Sequence, residues 1–182
     1  MPAWICVTCG VQYPDTDRHP DGCPICADER QYVGWNGQQW TTMAEIARDH
    51  AVVMRNEEAD LIGVGVEPSF AIGQRALLVR TPHGNVMWDC ISLLDERARQ
   101  QIADLGGIVA ICLSHPHFYA ANVEFADVFD AHLDPTSRPA LDPATVAPDR
   151  AVRRRHRTGA RAPPGPDRRP LRRRGRPALA SW

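Results

Sequence analysis

The chain has 182 residues, a formal net charge of −1 and 43% hydrophobic residues, the size and apolar content of one ordinary globular domain with enough mass for a core. The near-zero charge conceals a division. Residues 1–130 hold 8 Arg against 18 acidic residues and 7 Pro, whereas residues 131–182 hold 13 Arg against 4 Asp, no Glu, and 9 Pro. Lys is absent throughout. No apolar run approaches the roughly 18–20 residues of a bilayer helix, and Met1-Pro2-Ala3-Trp4-Ile5-Cys6 lacks the basic-then-apolar order of a secretion signal. A membrane span is therefore not expected, and a cytoplasmic location is.

Residues 1–38 are rich in Cys, Gly, Pro and Asp, and short aromatic or β-branched runs at Trp4-Ile5, Val11-Gln12-Tyr13 and Gln31-Tyr32-Val33 predict small strands. Between them lie Cys6-Val7-Thr8-Cys9 and Cys23-Pro24-Ile25-Cys26, two C-x2-C pairs separated by 13 residues. Two residues between thiolates let one turn present both sulfurs to one tetrahedral ion, and two such turns close a four-sulfur shell with no open position. Cys6, Cys9, Cys23 and Cys26 are thus a candidate structural metal site, with a redox dithiol or unrelated buried cysteines as the alternatives. A segment this short cannot bury enough surface to fold alone, whereas a structural zinc contributes about 10–16 kcal/mol of apparent binding energy. The pattern, with Gly10 after the first pair and Pro24 inside the second, resembles the rubredoxin and zinc-ribbon families. The loop between the pairs is short for a rubredoxin, so the resemblance implies a zinc ribbon ahead of an iron-based electron carrier.

Further along, Thr42-Met43-Ala44-Glu45 has the capping-box pattern and opens a short helix through about His50. Gly63-Val64-Gly65-Val66 has too few glycines for a phosphate loop and no following Lys, so it is strand or loop. Phe70-Ala71-Ile72 and Gln74 to Arg80 read as strands, Thr81-Pro82-His83-Gly84-Asn85 as a turn, and Val86 to Ile91 as the returning hairpin partner. Apolar residues from Ile91 and Leu94 to Ala98, Ile102 and Leu105 recur at helical spacing from about Asp95, and Gly106-Gly107 stops that helix. Ile108 to Leu113 is a continuous apolar run, as expected of a strand buried on both faces. A second helix follows from about Ala120 to Phe129. This order predicts an α/β layered domain. Cys90 and Cys112 read as small buried hydrophobes, His83 as exposed, and His50 and His132 have no partner identifiable from sequence.

Directly after the apolar run stands Leu113-Ser114-His115-Pro116-His117-Phe118-Tyr119-Ala120. In extended chain, residues at i and i+2 share a side, so His115 and His117 are candidates to hold one metal at a strand mouth; two loop histidines bonded to water or backbone are the alternative. Hairpin, helix, buried strand and H-x-H over Phe70 to Phe129 resemble the first half of a metallo-β-lactamase-fold hydrolase, whose motif there is H-x-H-x-D-H. The resemblance implies that His115 and His117 occupy the first two ligand positions, that a second zinc can sit there, and that a metal-bound water is the nucleophile. It also exposes departures: the motif's Asp falls on Tyr119 and its second-metal His on Ala120, so the second metal site looks dismantled. Asp89, ending its strand, matches a common acidic position of that fold, with a plain turn or cap hydrogen bond as the alternative.

The expected organisation is a four-Cys zinc ribbon (1–38), the N-terminal half of an αββα metallo-β-lactamase-like sandwich (39–131), and a disordered Arg- and Pro-rich tail (132–182). The tail has no Lys, Glu, Ile, Phe, Tyr, Asn, Cys, Met or Gln and cannot supply the family's second half; neither His132 nor His156 has the strand context of a further ligand. A shifted reading of a high-GC gene fits this composition best. A nucleic-acid arm lacks the aromatic interleaving that base stacking needs, and a solvated linker is the third alternative. The expected function is that of a metal-dependent hydrolase-like protein, weak or inactive in this form, acting on an unidentified small molecule. A zinc-ribbon adaptor or an Arg-tail nucleic-acid binder is the rival class. Half a sandwich would also leave a sheet edge and an apolar face uncovered.

Overall fold

A computed structural model describes residues 2–133. The Arg- and Pro-rich stretch, His156 and every expectation placed on residues 134–182 lie outside the described residues. What is described is a mixed α/β structure with two sheets. Among the described residues no helix is long and apolar enough to cross a membrane.

The first sheet has three antiparallel strands, β1 (Ala3–Cys6), β2 (Gln12–Asp15) and β3 (Trp40–Thr42), in the order β2-β1-β3. Its third strand differs from the expectation: Gln31-Tyr32-Val33 is irregular, and Trp40–Thr42 pairs with β1 instead, Trp40 opposite Cys6 and Thr42 opposite Trp4. This sheet therefore runs past residue 38. Thr42 then caps α1 (Met43–Ile46), its hydroxyl accepting from Glu45 N while the Glu45 carboxylate accepts from Thr42 N at 3.0 Å, the reciprocal box its sequence predicts.

The second sheet has six strands: β4 (Ala51–Glu58), β5 (Leu61–Glu67), β6 (Ala76–Val79), β7 (Val86–Trp88), β8 (Ala110–Cys112) and β9 (His132–Leu133), in that spatial order. The pairings are antiparallel through β7 and parallel from β7 to β9. Each parallel step needs a crossover. The first is α2 (Glu96–Asp104), capped by Asp95, whose carboxylate accepts from Ala98 N at 2.7 Å and from Val52 N at 2.8 Å. The second is α3 (Asn122–Phe129). Phe70-Ala71-Ile72 is not a strand: Ala71 has φ +52°, a left-handed value that breaks the extended path into a turn.

The two faces of the large sheet are unlike. Val52, Ile62, Val64, Ala76, Leu78, Met87 and Ile111 alternate onto one face and are buried under Ala98, Ile102, Phe125 and Ala126 of the two helices. On the opposite face Leu77, Val79, Val86, Ala110 and Cys112 are only half-buried, and Trp88 is 46% exposed. The expectation of a strand buried on both faces is corrected here. Of β8 only Ile111 is buried, because among the described residues both helices lie on its side. Cys112 is accordingly half-buried, whereas Cys90 is fully buried as expected, and that burial pushes its thiol up to about 12.

Candidate metal centres

The first centre is built by local turn chemistry. After Cys6 the chain turns tightly, Gly10 N donating to Cys6 O at 2.8 Å with Gly10 at φ +76°, and Cys6 N returning to Val11 O at 3.0 Å. The positive φ suits glycine, and a Cβ there would collide with Ser92 Oγ. The second pair sits in a matching turn, Ala27 N donating to Cys23 O at 3.0 Å. The turns face one another. Cys6 and Cys26 sulfurs lie 3.6 Å apart, as do those of Cys9 and Cys23, and all four fall within 4.8 Å of one another, every one buried. Sulfurs each about 2.3 Å from a tetrahedral zinc lie about 3.8 Å apart, so the four cysteines fit a metal ion such as zinc.

Three donors face these sulfurs: Tyr13 Oη to Cys23 Sγ at 3.1 Å, Gln38 Nε2 to Cys6 Sγ at 3.0 Å, and Cys9 N to Cys6 Sγ at 3.4 Å. They favour thiolate over thiol. Hydrogen bonds from Cys23 and Cys9 hold the Cys6 thiol far below its ordinary value, while bonding to Cys23 and Cys6 together with burial pushes Cys9 up. Crowded sulfurs thus share protons that a cation at their centre would displace. Neither Tyr13 nor Gln38 was singled out by sequence; only the aromatic in the strand after the first pair hinted at Tyr13.

The second centre lies at the end of β8. His115 is extended (φ −156°, ψ 150°) and caps a single 3-10 turn, Pro116–Phe118, in which His117 sits. Convergence thus comes from a turn closing on its cap, correcting the i, i+2 strand geometry expected. The rings stack with centroids 5.0 Å apart and 16° between planes. His117 N donates to His115 Nδ1 at 3.2 Å, the two Nδ1 atoms are 3.2 Å apart, and His117 Nε2 meets Gln31 Oε1 at 2.9 Å. With the Gln31 amide in this orientation its oxygen accepts from Nε2 of His117, which leaves Nδ1 of the neutral ring unprotonated. Nδ1 of His115 already accepts from His117 N, so a cation held between the two rings would take the place of that bond. Imidazole nitrogens on one tetrahedral zinc lie roughly 3.3 Å apart. Burial, His115 and Arg30 pull His117 below its ordinary value, against Asp28.

Asp89 anchors this loop. Its φ of +62° turns the chain sharply after β7, and its carboxylate accepts from Ser114 N at 2.8 Å and from Ser114 Oγ at 2.8 and 3.0 Å. Asp89 is therefore bonded to the histidine loop and not aimed at the rings. Tyr119 is buried against the cysteine module, in a cluster with Cys6, Cys9, Cys23, Cys26 and Tyr13. Ala120, at φ +41°, accepts from Gln12 N through its carbonyl at 2.9 Å. Among the described residues only the four cysteines gather three or more metal-ligating groups; the histidine pair supplies two. His83 is exposed as expected, His132 lies on β9, and His50 packs edge-on against Phe70 at 5.7 Å.

No family model matches the chain. It is 47% identical over 135 residues to an uncharacterized protein of Bacillus subtilis (strain 168), YmaE, a match covering 73% of this chain and 49% of that protein. The chain thus spans about half the length of the curated relative it matches.

Proposed function

We propose that the chain is a metal-binding, metallo-β-lactamase-like protein of hydrolase type, with a structural zinc in the four-cysteine cluster and a weaker cation site at His115 and His117. The observation that carries this reading is the approach of two ring nitrogens to 3.2 Å on a loop bonded to a left-handed Asp89, a separation close to that of two imidazole nitrogens on one tetrahedral zinc. Asp enters the left-handed region more readily than most residues, so Asp89 can both turn the chain and hold the loop. The open face carrying Leu77, Val79, Val86 and Trp88 supports the sandwich reading, as does a relative with about as much chain again as the matched part. When bound at the histidines, zinc would supply a water of pKa about 7 as nucleophile. His115 and His117 would hold the ion, Asp89 would fix the loop, and Tyr119 and Ala120 add no ligand. Two donors under-coordinate an ion, so turnover of a generic ester, thioester or lactam by this chain is expected to be slight or absent.

Metal content decides the point. The wild-type chain is expected to bind two equivalents, His115→Ala/His117→Ala one, and Cys6→Ser/Cys9→Ser to lose the tight ion. Retention of a single equivalent in both the wild type and the histidine variant would remove the hydrolase-like site. A second reading, an adaptor, is favoured by Tyr32 and Trp35, 70% and 97% exposed on the cysteine module. It predicts a protein partner that a Trp35→Ala substitution releases while metal content stays unchanged.

A further inference from the structure

The cysteine module is not an appendage to the histidine loop; it forms one wall of it. Gln74, just ahead of β6 and only 7% exposed, donates from Nε2 both to the carbonyl of Cys9 and to that of His117, the latter at 3.0 Å. Ser92 Oγ donates to Gly10 O at 2.8 Å, holding the first cysteine turn against the same region. From the other side Gln31, five residues beyond Cys26, receives the ring proton of His117 at 2.9 Å. Tyr119 is buried in the same cluster as the four cysteines. On the side of the large sheet the loop is held at Ser114, through Asp89. The backbone of His117 is therefore tied through Gln74 to the Cys9 carbonyl, and its ring through Gln31 to the loop that follows Cys26.

We infer that Gln74 and Gln31 are positioning residues that couple the two centres: an ion in the four-cysteine cluster fixes the Cys9 carbonyl and the loop of Gln31, and these aim Nδ1 of His117 at His115. This inference rests on the histidine pair being a cation site. Coupling of binding is reciprocal, so a cation at the histidines tightens the cysteine ion by the same factor that the cysteine ion tightens the histidine site. Partners of this kind, bonded to the far nitrogen of a metal-binding imidazole, typically change affinity about 10–100-fold.

Titration of the full chain with Co2+ reads the two centres separately, since only the cysteine cluster gives thiolate charge-transfer absorption. Gln31→Leu and Gln74→Leu are expected to weaken the second equivalent about 10–100-fold with the thiolate band unchanged. Gln31→Glu, which still accepts the ring proton, is expected to stay within about threefold of the wild type. Wild-type affinity for the second equivalent in both leucine variants would overturn the coupling. Should the wild-type chain itself take only one equivalent, the cation reading of the histidines fails, and ring nitrogen resonances of His117 in the zinc-loaded chain decide the positioning role. A single Nε2–H tautomer that becomes mixed in Gln31→Leu upholds it, and an unchanged tautomer overturns it.

Discussion

The four-cysteine cluster and the histidine pair lie side by side, yet they solve opposite problems. The cysteines are buried, number four, and close on one another, with Tyr13 and Gln38 donating to their sulfurs. The pair has one exposed and one half-buried ring, offers two donors, and is held by contacts to its backbone and its far nitrogen. Four buried thiols make the full shell with no open position that a structural metal needs, whereas two imidazoles fall short of the three protein ligands usual at a catalytic zinc. The difference shows that metal-binding residue types are insufficient to define a role. Donor count, burial and what fixes the donors separate the two.

The largest test of that contrast is Cys9→Ser. Apart from Ile5, which is buried in the large core, the small sheet and its turns gather few apolar residues besides the cysteines, Val11, Tyr13 and Ile25, so an ion would carry much of their stability. Loss of one ligand is expected to destabilise this region by the order of 5 kcal/mol or more. Hydrogen exchange should show amides of β2, β3 and the two cysteine turns losing protection while β5 and β6, in the core around Leu78 and Met87 that Ile5 of β1 also enters, keep theirs. A uniform loss across both sheets would mean that the two regions fold as one unit and that the contrast is drawn too sharply.

Asp89→Ala comes next. It removes both acceptors of Ser114 and places alanine at φ +62°, so a cost of about 2 kcal/mol is expected in denaturant unfolding. Asp89→Asn retains an acceptor and tolerates the left-handed region, and should cost less than half as much. Equal costs would mean that backbone geometry has no part in holding the histidine loop.

How far the sequence discloses these two centres follows from the range of the contacts. Cys6, Cys9, Cys23 and Cys26 are legible because ligand spacing and a knuckle turn are local, and the caps at Thr42 and Asp95 are legible for the same reason. The hairpin of β4 and β5 is not, since the outer half of β4 is charged and two glycines interrupt β5, which blurs the alternation. Trp40–Thr42 joins the small sheet through pairing across more than 30 residues, and no local pattern announces it. Gln31 and Gln74 reach His117 across 86 and 43 residues. A glutamine with such a role looks, in sequence, like any polar residue of a loop. The two rings of the H-x-H stretch meet by another route than the extended one expected, because His117 reaches His115 by a 3-10 turn that Pro116 opens.

Within the cysteine cluster the contribution of the outer donors is separable from that of the ligands. Tyr13→Phe deletes the O–H to S bond on Cys23 and leaves the ring in its edge-on contact with Trp40, at 5.2 Å. A loss of about 1 kcal/mol is expected, read as roughly fivefold weaker zinc binding in competition with a chelator. An unchanged affinity would place the whole stability of the centre in its four ligands.

The smallest effect is expected at the histidine pair. His115 is exposed, and its bonds within the described residues run only to the next turn of its own loop, through His117 N and the stacked ring. Replacing it with alanine removes a cap of one 3-10 turn and one face of a ring pair that solvent already reaches. Surface changes of this kind alter stability by less than about 0.5 kcal/mol. Thermal unfolding of His115→Ala should therefore track the wild type when the four-cysteine site is loaded and no further metal is added. With excess Zn2+ the two should part, because any stabilisation from a second ion follows its occupancy of the native state and the variant has lost a ligand for it. A wild-type midpoint that rises with added Zn2+ while that of His115→Ala stays fixed would assign the weak site to the pair. Parallel rises in both would put that ion elsewhere on the molecule and leave His115 as an ordinary residue of a loop.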